Sequence, residues 1–142
     1  MAQATTDNLG FLLAKASARW NELLSEAFRD AGFGDVRPSY GSVLVPLFET
    51  EPLRIGEIAA RSRLSKQTMT TMVRLCERDG LVERRPDPDD GRATQVVLTA
   101  RSRAFRPVAE RVLVDLEQRV LGRVGRSNQQ ALERALKGVM EL

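Results

Sequence analysis

The chain has 142 residues, 42% hydrophobic and 29% charged, the composition of one ordinary globular domain and not of a disordered chain. It has no histidine and a single cysteine, Cys76, which excludes Ser–His and Cys–His nucleophile pairs, imidazole-ligated metals, intrachain disulfides and CxxC zinc or redox motifs. The net charge is only +3, yet residues 54–106 hold eleven arginines and one lysine against seven acids, so the positive excess sits in the middle third, as in a nucleic-acid-binding unit between scaffold segments.

The N-terminal MAQATTDNLG lacks the basic and apolar regions of a signal peptide. No apolar run approaches the ~18 residues of a membrane span. With its lone thiol, the chain is expected in a reducing cytoplasm, away from membranes. Leu9, Leu12, Leu13, Ala16, Trp20, Leu23, Leu24, Ala27, Phe28 and Ala31 recur in steps of three and four. They predict a long amphipathic helix, capped by Asp7 or Asn8 and stopped by Gly32 and Gly34. A second helix is expected from Pro38-Ser39 to just before Pro52, with Val43, Leu44, Leu47 and Phe48 inward and Pro46 kinking or shortening it.

From Ile55 the elements shorten. IGEIAARS reads as a short helix, Arg63-Leu64 as a tight turn, and Ser65 as the start of a longer helix that Gly80 ends. Leu81–Arg85 reads as a strand, PDPDDG as turn chemistry and Ala93–Leu98 as the returning strand of a hairpin. Thr99 caps a further helix with Phe105, Val108, Ala109, Val112, Leu113, Leu116, Val120 and Leu121 on one stripe, loosened at its end by Gly122 and Gly125. Ser127 is the expected cap of a last helix, with Ala131, Leu132, Ala135, Leu136, Val139 and Met140 inward. The terminal helices carry more one-sided apolar surface than a small winged core can cover, and a second copy of the chain is the simplest cover.

The helix opened by Ser65 divides its side chains by chemistry. Met69, Met72, Val73 and Cys76 share one face, whereas Lys66, Gln67, Thr70, Thr71 and Arg74 share the other, with Ser65 and Thr68 at its start. An α-helix fits the major groove of DNA, where Gln pairs with adenine, Arg with guanine and a Thr methyl meets the thymine methyl. Free amides at the helix start face a phosphate, assisted by Ser65 and Lys66.

The stretch IGEIAARSRLSKQTMTTMVRLCERDGLVERRPDPDDGRATQVVLT resembles the winged helix-turn-helix of the multiple-antibiotic-resistance regulator (MarR) family. The likeness spans about residues 39–99. SKQT at the recognition helix, ERDGLVERR before the wing and DDGR…VxLT after it are the most specific parts, and the flanking helices follow the family's order. The resemblance implies a mainly α fold, a winged helix-turn-helix with N- and C-terminal dimerisation helices. The whole chain, 1–142, is then one domain, with residues 1–34 and 100–142 dimerising and 39–99 forming the DNA-binding lobe.

The resemblance further implies a homodimeric DNA-binding transcriptional regulator, usually a repressor, bound to a pseudo-palindromic operator in double-stranded DNA and released by a small aromatic effector or by thiol oxidation. The alternative is a winged-helix module that binds a protein partner without reading DNA sequence. In relatives with this wing, an acid-x-Arg pair at the hairpin tip sends its Arg into the minor groove. Asp90 and Arg92 match that spacing, with Asp90 expected to hold the guanidinium fork and Arg92 to sense a narrow groove. Arg84 and Arg85 are left to contact flanking phosphates or acids. The family's peroxide sensors carry their thiol in the first helix. Cys76 instead falls on the core face of the recognition helix, where a buried thiol is poorly reactive. For an effector pocket between the dimer helices and the winged lobe, Trp20, Phe28, Tyr40 and Phe48, with Phe33, are the candidates by position.

Overall fold

The computed structural model describes residues 3–142. Helix α1 spans Leu9–Asp30, and the Asn8 side chain caps it by accepting from the Phe11 N–H at 2.9 Å. A short 3-10 turn, Pro38–Tyr40, leads into α2, Gly41–Glu49. The single helix expected from Pro38 is thus two pieces, and Pro46 lies within a segment of only nine residues. Then come β1 (Leu53–Arg54), α3 (Ile55–Arg61), α4 (Lys66–Arg78), β2 (Val82–Pro86), β3 (Thr94–Leu98), α5 (Ala100–Val124) and α6 (Arg126–Met140).

The wing hairpin β2–β3 is antiparallel, with Val82 opposite Leu98 and Arg84 opposite Val96. Sequence periodicity did not reveal β1. Its two residues have no visible alternation, and they become a strand only by pairing with β3, Leu53 opposite Val96 and Arg54 opposite Gln95. The sheet order β1-β3-β2 therefore joins the wing to the start of α3.

One apolar core runs through the molecule. In the winged lobe, Ile58 of α3, Met69, Val73 and Cys76 of α4, and Val82 and Val96 of the wing are buried together. Toward α1 and α5, Phe28 meets Phe105 edge-on with ring centroids 4.9 Å apart, a favoured aromatic geometry. Thr99 welds α5 to the winged lobe: its hydroxyl donates to the Gly80 carbonyl at 2.7 Å and caps α5 by accepting from the Ser102 N–H. Gly80 itself has φ +75°, the left-handed conformation that ends a helix without a Cβ clash.

The far end of the chain departs from expectation twice. Gly125, not Ser127, is the N-cap of α6, and Ser127 lies inside its first turn. No residue of α6 is buried, so Ala131, Leu132, Ala135, Leu136, Val139 and Met140 are not inward within one chain. Helical periodicity identifies an apolar stripe but not what covers it. Among the described residues, no helix is long and apolar enough to cross a membrane.

Candidate nucleic-acid interface

Helix α4 forms because its start is capped and its apolar residues fall on one side. The Ser65 hydroxyl accepts from the Thr68 N–H at 3.1 Å and donates to the Thr68 hydroxyl at 2.9 Å. Met69, Val73 and Cys76 are buried and Met72 is half-buried. The preceding helix is docked by the Ser62 hydroxyl, which donates to the Ser42 carbonyl at 2.6 Å. Arg63 makes the turn between α3 and α4 with φ +55°.

The outward residues then separate into two groups. The hydroxyls of Thr70 and Thr71 donate back to the carbonyls of Lys66 and Gln67, at 2.8 and 3.3 Å. Those protons are held by the helix itself. Ser65 and Thr68 are engaged in the cap. Lys66, Gln67 and Arg74 are exposed, and among the described residues Lys66 and Arg74 pair with no acid. These three are the long side chains that α4 leaves available to a ligand.

The wing supplies a fourth. The Arg92 side chain is 96% exposed. Asp90 does not grip its guanidinium as a fork: the nearest approach, Nε to Oδ1, is 3.6 Å, beyond a hydrogen bond. Instead the Arg92 backbone N–H donates to Asp90 Oδ1 at 3.1 Å. Asp90 shapes the turn and leaves the arginine head free. Arg84 and Arg85, in contrast, are paired within the chain, to Glu77 and Glu83.

Asp87, at the base of the same turn, is buried, with 5% of its surface exposed. Its Oδ2 accepts from both Nε and Nη2 of Arg54, at 2.9 and 2.7 Å, and its Oδ1 accepts from the Asp89 N–H at 2.8 Å. The Asp89 N–H and then the Arg54 guanidinium hold this carboxyl below the usual aspartate range. Sequence reasoning missed this pair, because no local spacing links residues so far apart in the chain. Arg54, Lys66 and Arg92 line one groove of about 500 Å³ between the starts of α3 and α4 and the wing.

Only two of the aromatic candidates converge. Phe28 and Phe48 line an apolar cavity of about 140 Å³ with Leu24, Leu44 and Phe105, where Arg37 and Glu110 supply the charged groups. Trp20 lines a separate open cleft with Arg19, Arg119 and Arg123. Tyr40 is buried and donates its hydroxyl to Asp79 at the end of α4, and Phe33 packs on Phe105 at 5.2 Å. Cys76 is fully buried, and desolvation, with the nearby Asp79 charge, pushes its thiol up to about 12.

The sequence profile of the MarR family matches residues 38–94, the span from the 3-10 turn to the returning wing strand. An HTH-type transcriptional repressor of Mycobacterium tuberculosis, Rv2887, is 30% identical over 137 residues, covering 96% of this chain and 96% of the relative. The chain belongs to the MarR family. It is a DNA-binding transcriptional regulator of the winged-helix type. Solved structures share its architecture. A probable transcriptional regulator from Pseudomonas aeruginosa superposes with a TM-score of 0.80 at 26% identity, over 94% of this chain and 97% of that one. The fold also matches the repressor CouR, solved on a 23-mer DNA duplex, with a TM-score of 0.81 at 24% identity over 98% of this chain and 99% of that one. PcaV of Streptomyces coelicolor, solved with its natural ligand, matches with a TM-score of 0.81 at 19% identity over 99% of this chain and 98% of that one. This MarR-family chain therefore carries α4 and the wing where its family carries its winged helix.

Proposed function

We infer that the protein binds a pseudo-palindromic operator as a homodimer and represses transcription, with α4 in the major groove and the wing in the minor groove. The observation that carries this reading is the shared exposure of Lys66, Gln67 and Arg74 on α4 and Arg92 on the wing, while the neighbouring Arg84 and Arg85 are already paired with acids. Gln67 and Arg74 are the base readers, Lys66 and the α4 start hold a phosphate, and Arg92 senses groove width. Ser65, Thr68 and Asp90 position these residues, and Thr70 and Thr71 offer methyl groups to thymine. The 30%-identical repressor and the DNA-bound CouR support this assignment.

Residues 1–34, of which 1 and 2 lie outside the described residues, and 100–142 form the dimer. Leu9, Leu12, Val114, Leu132, Leu136, Val139 and Met140 are 39–66% exposed, an apolar surface that a second copy would cover. A small aromatic ligand releases the operator from the cavity lined by Phe28 and Phe48. Its volume of about 140 Å³ is of the order that holds one benzene-sized ring. Ligand-bound PcaV supports the effector reading.

A mobility shift with DNA from upstream of the coding region tests the core of this reading. Retarded complexes containing two chains are expected, weakened by benzoate or phenol in wild type but not in Ala109→Met, which fills the cavity from a residue that also lines it. A chain that binds this DNA no better than a scrambled duplex overturns the reading.

A further inference from the structure

We propose that Asp87 and Arg54 form a positioning latch that sets the angle of the wing, so that Arg92 reaches the minor groove only while the pair is closed. The proposal rests on the assignment of Arg92 as the minor-groove reader.

The geometry supports a latch on three counts. First, a buried carboxylate must be paired or neutralised. Asp87 is buried at the foot of an otherwise exposed turn, and Arg54 places two N–H groups on its Oδ2. Second, the two residues join elements that the DNA contact must keep in register. Arg54 lies in β1 and caps α3, with its backbone N–H donating to Glu57 Oε1 at 2.9 Å. Asp87 closes the hairpin, its N–H donating to the Ala93 carbonyl at 3.0 Å. Third, the wing tip has little else to hold it. Pro88, Asp89, Gly91 and Arg92 are exposed, and beyond the Pro86–Thr94 pair the turn has two backbone hydrogen bonds, Asp87 N–H to the Ala93 carbonyl and Ala93 N–H to the Asp90 carbonyl, together with those accepted by the Asp87 and Asp90 side chains.

Without the latch, the turn keeps its local hydrogen bonds but loses its tie to the helix-turn-helix. The turn that carries Arg92 then samples many orientations, and ordering it on DNA costs conformational entropy that the closed latch has already removed. Asp87 and Arg54 thus act through Arg92 and need no contact with a base.

Operator binding by wild type, Asp87→Asn, Arg92→Ala and the double variant, on duplexes with A·T-rich and G·C-rich flanks, tests the latch. Asn is nearly isosteric and still accepts from the Asp89 N–H, but it lacks the charge that holds Arg54. Arg54→Gln opens the latch from its exposed side, should Asp87→Asn fold poorly in a thermal melt. The expected result is that each single variant loses the preference for A·T flanks to a similar extent, and that the double variant loses little more than Arg92→Ala. If Arg92→Ala loses the preference while Asp87→Asn and Arg54→Gln keep it, the latch is wrong and the Arg92 assignment stands. If the latch variants weaken binding equally on all flanks and additively with Arg92→Ala, their role is general stability and the latch is again wrong. If Arg92→Ala leaves the preference intact, the Arg92 assignment and the latch fall together.

Discussion

Arg84 clasps Glu77 across the junction of the wing and α4, its Nε and Nη2 donating to the two carboxylate oxygens at 3.1 and 3.0 Å. Of the two partners open to Arg84 in the sequence, a phosphate or an acid, the fold supplies the acid. The Arg84 guanidinium holds the Glu77 carboxyl below its ordinary range. Both side chains are more than a third exposed, so solvent screens the pair and its contribution is about 0–1 kcal/mol. Arg84→Ala is expected to cost that much in urea unfolding and to leave the salt dependence of operator binding unchanged. A shallower salt slope in this variant would place Arg84 on a phosphate.

Lys66, Arg74 and Arg92 behave differently because they lack strong partners. Two copies of each beside the duplex, with helix-start amides, are expected to displace the counterions of on the order of 6–10 phosphates, for a log–log salt slope of about −5 to −9. Gln67→Ala and Arg74→Ala are expected to cost ~1–3 kcal/mol per contact and to relax the preference at one position in each half-site. Arg92→Ala is expected to flatten only the preference in the flanks. Binding across a randomised operator library separates these outcomes. An even loss for all three with unchanged preference would make them phosphate contacts.

Cys76 is expected to be inert. Its thiol is fully buried and pushed up to about 12, so the nucleophilic thiolate is scarce at neutral pH. Folded protein should resist alkylation by iodoacetamide, and peroxide should affect operator binding by wild type and Cys76→Ser alike. Burying a hydroxyl in that apolar site should itself cost about 1–3 kcal/mol, read by urea unfolding. Peroxide release of wild type but not of Cys76→Ser would contradict this.

Asp79 gives a pH signature. Arg78 and then the Tyr40 hydroxyl hold its carboxyl below the usual range. The folded chain thus binds fewer protons here than the unfolded one. The resulting stability is complete above the unfolded value of about 4 and disappears as pH falls through the lowered folded value. Asp79→Asn should lose less stability than wild type between pH 5 and pH 3 in denaturant unfolding. Asp79→Ala, which leaves the buried Tyr40 hydroxyl without its acceptor, should cost about 1–3 kcal/mol at neutral pH.

Removal of residues 128–142 deletes most of α6, which has no buried residue within one chain. Little of the single-chain core is lost, so the winged lobe should keep its fold while the protein becomes monomeric or aggregates. Light scattering with circular dichroism reads both. A full-length chain that is monomeric at micromolar concentration would remove the dimer reading.

Local chemistry made much of the winged lobe legible in the sequence. Ser65 and Thr99 as caps, Gly80 as a stop, PDPDDG as a turn, though its Pro86 ends β2, and the buried stripe of α4 are short-range features, and each reappears in the fold. They act within a few residues, where backbone geometry decides which groups meet. Tertiary structure alone decided what lies across longer separations. It brought Arg54 to Asp87 through the β1–β3 pairing, engaged Tyr40 with Asp79, and sent Phe28 and Trp20 to different cavities although both lie on α1. Periodicity names the face of a helix that avoids water, but any apolar surface of suitable shape satisfies it. Which partner is met, and which charges are neutralised on the way, is settled only when the elements dock.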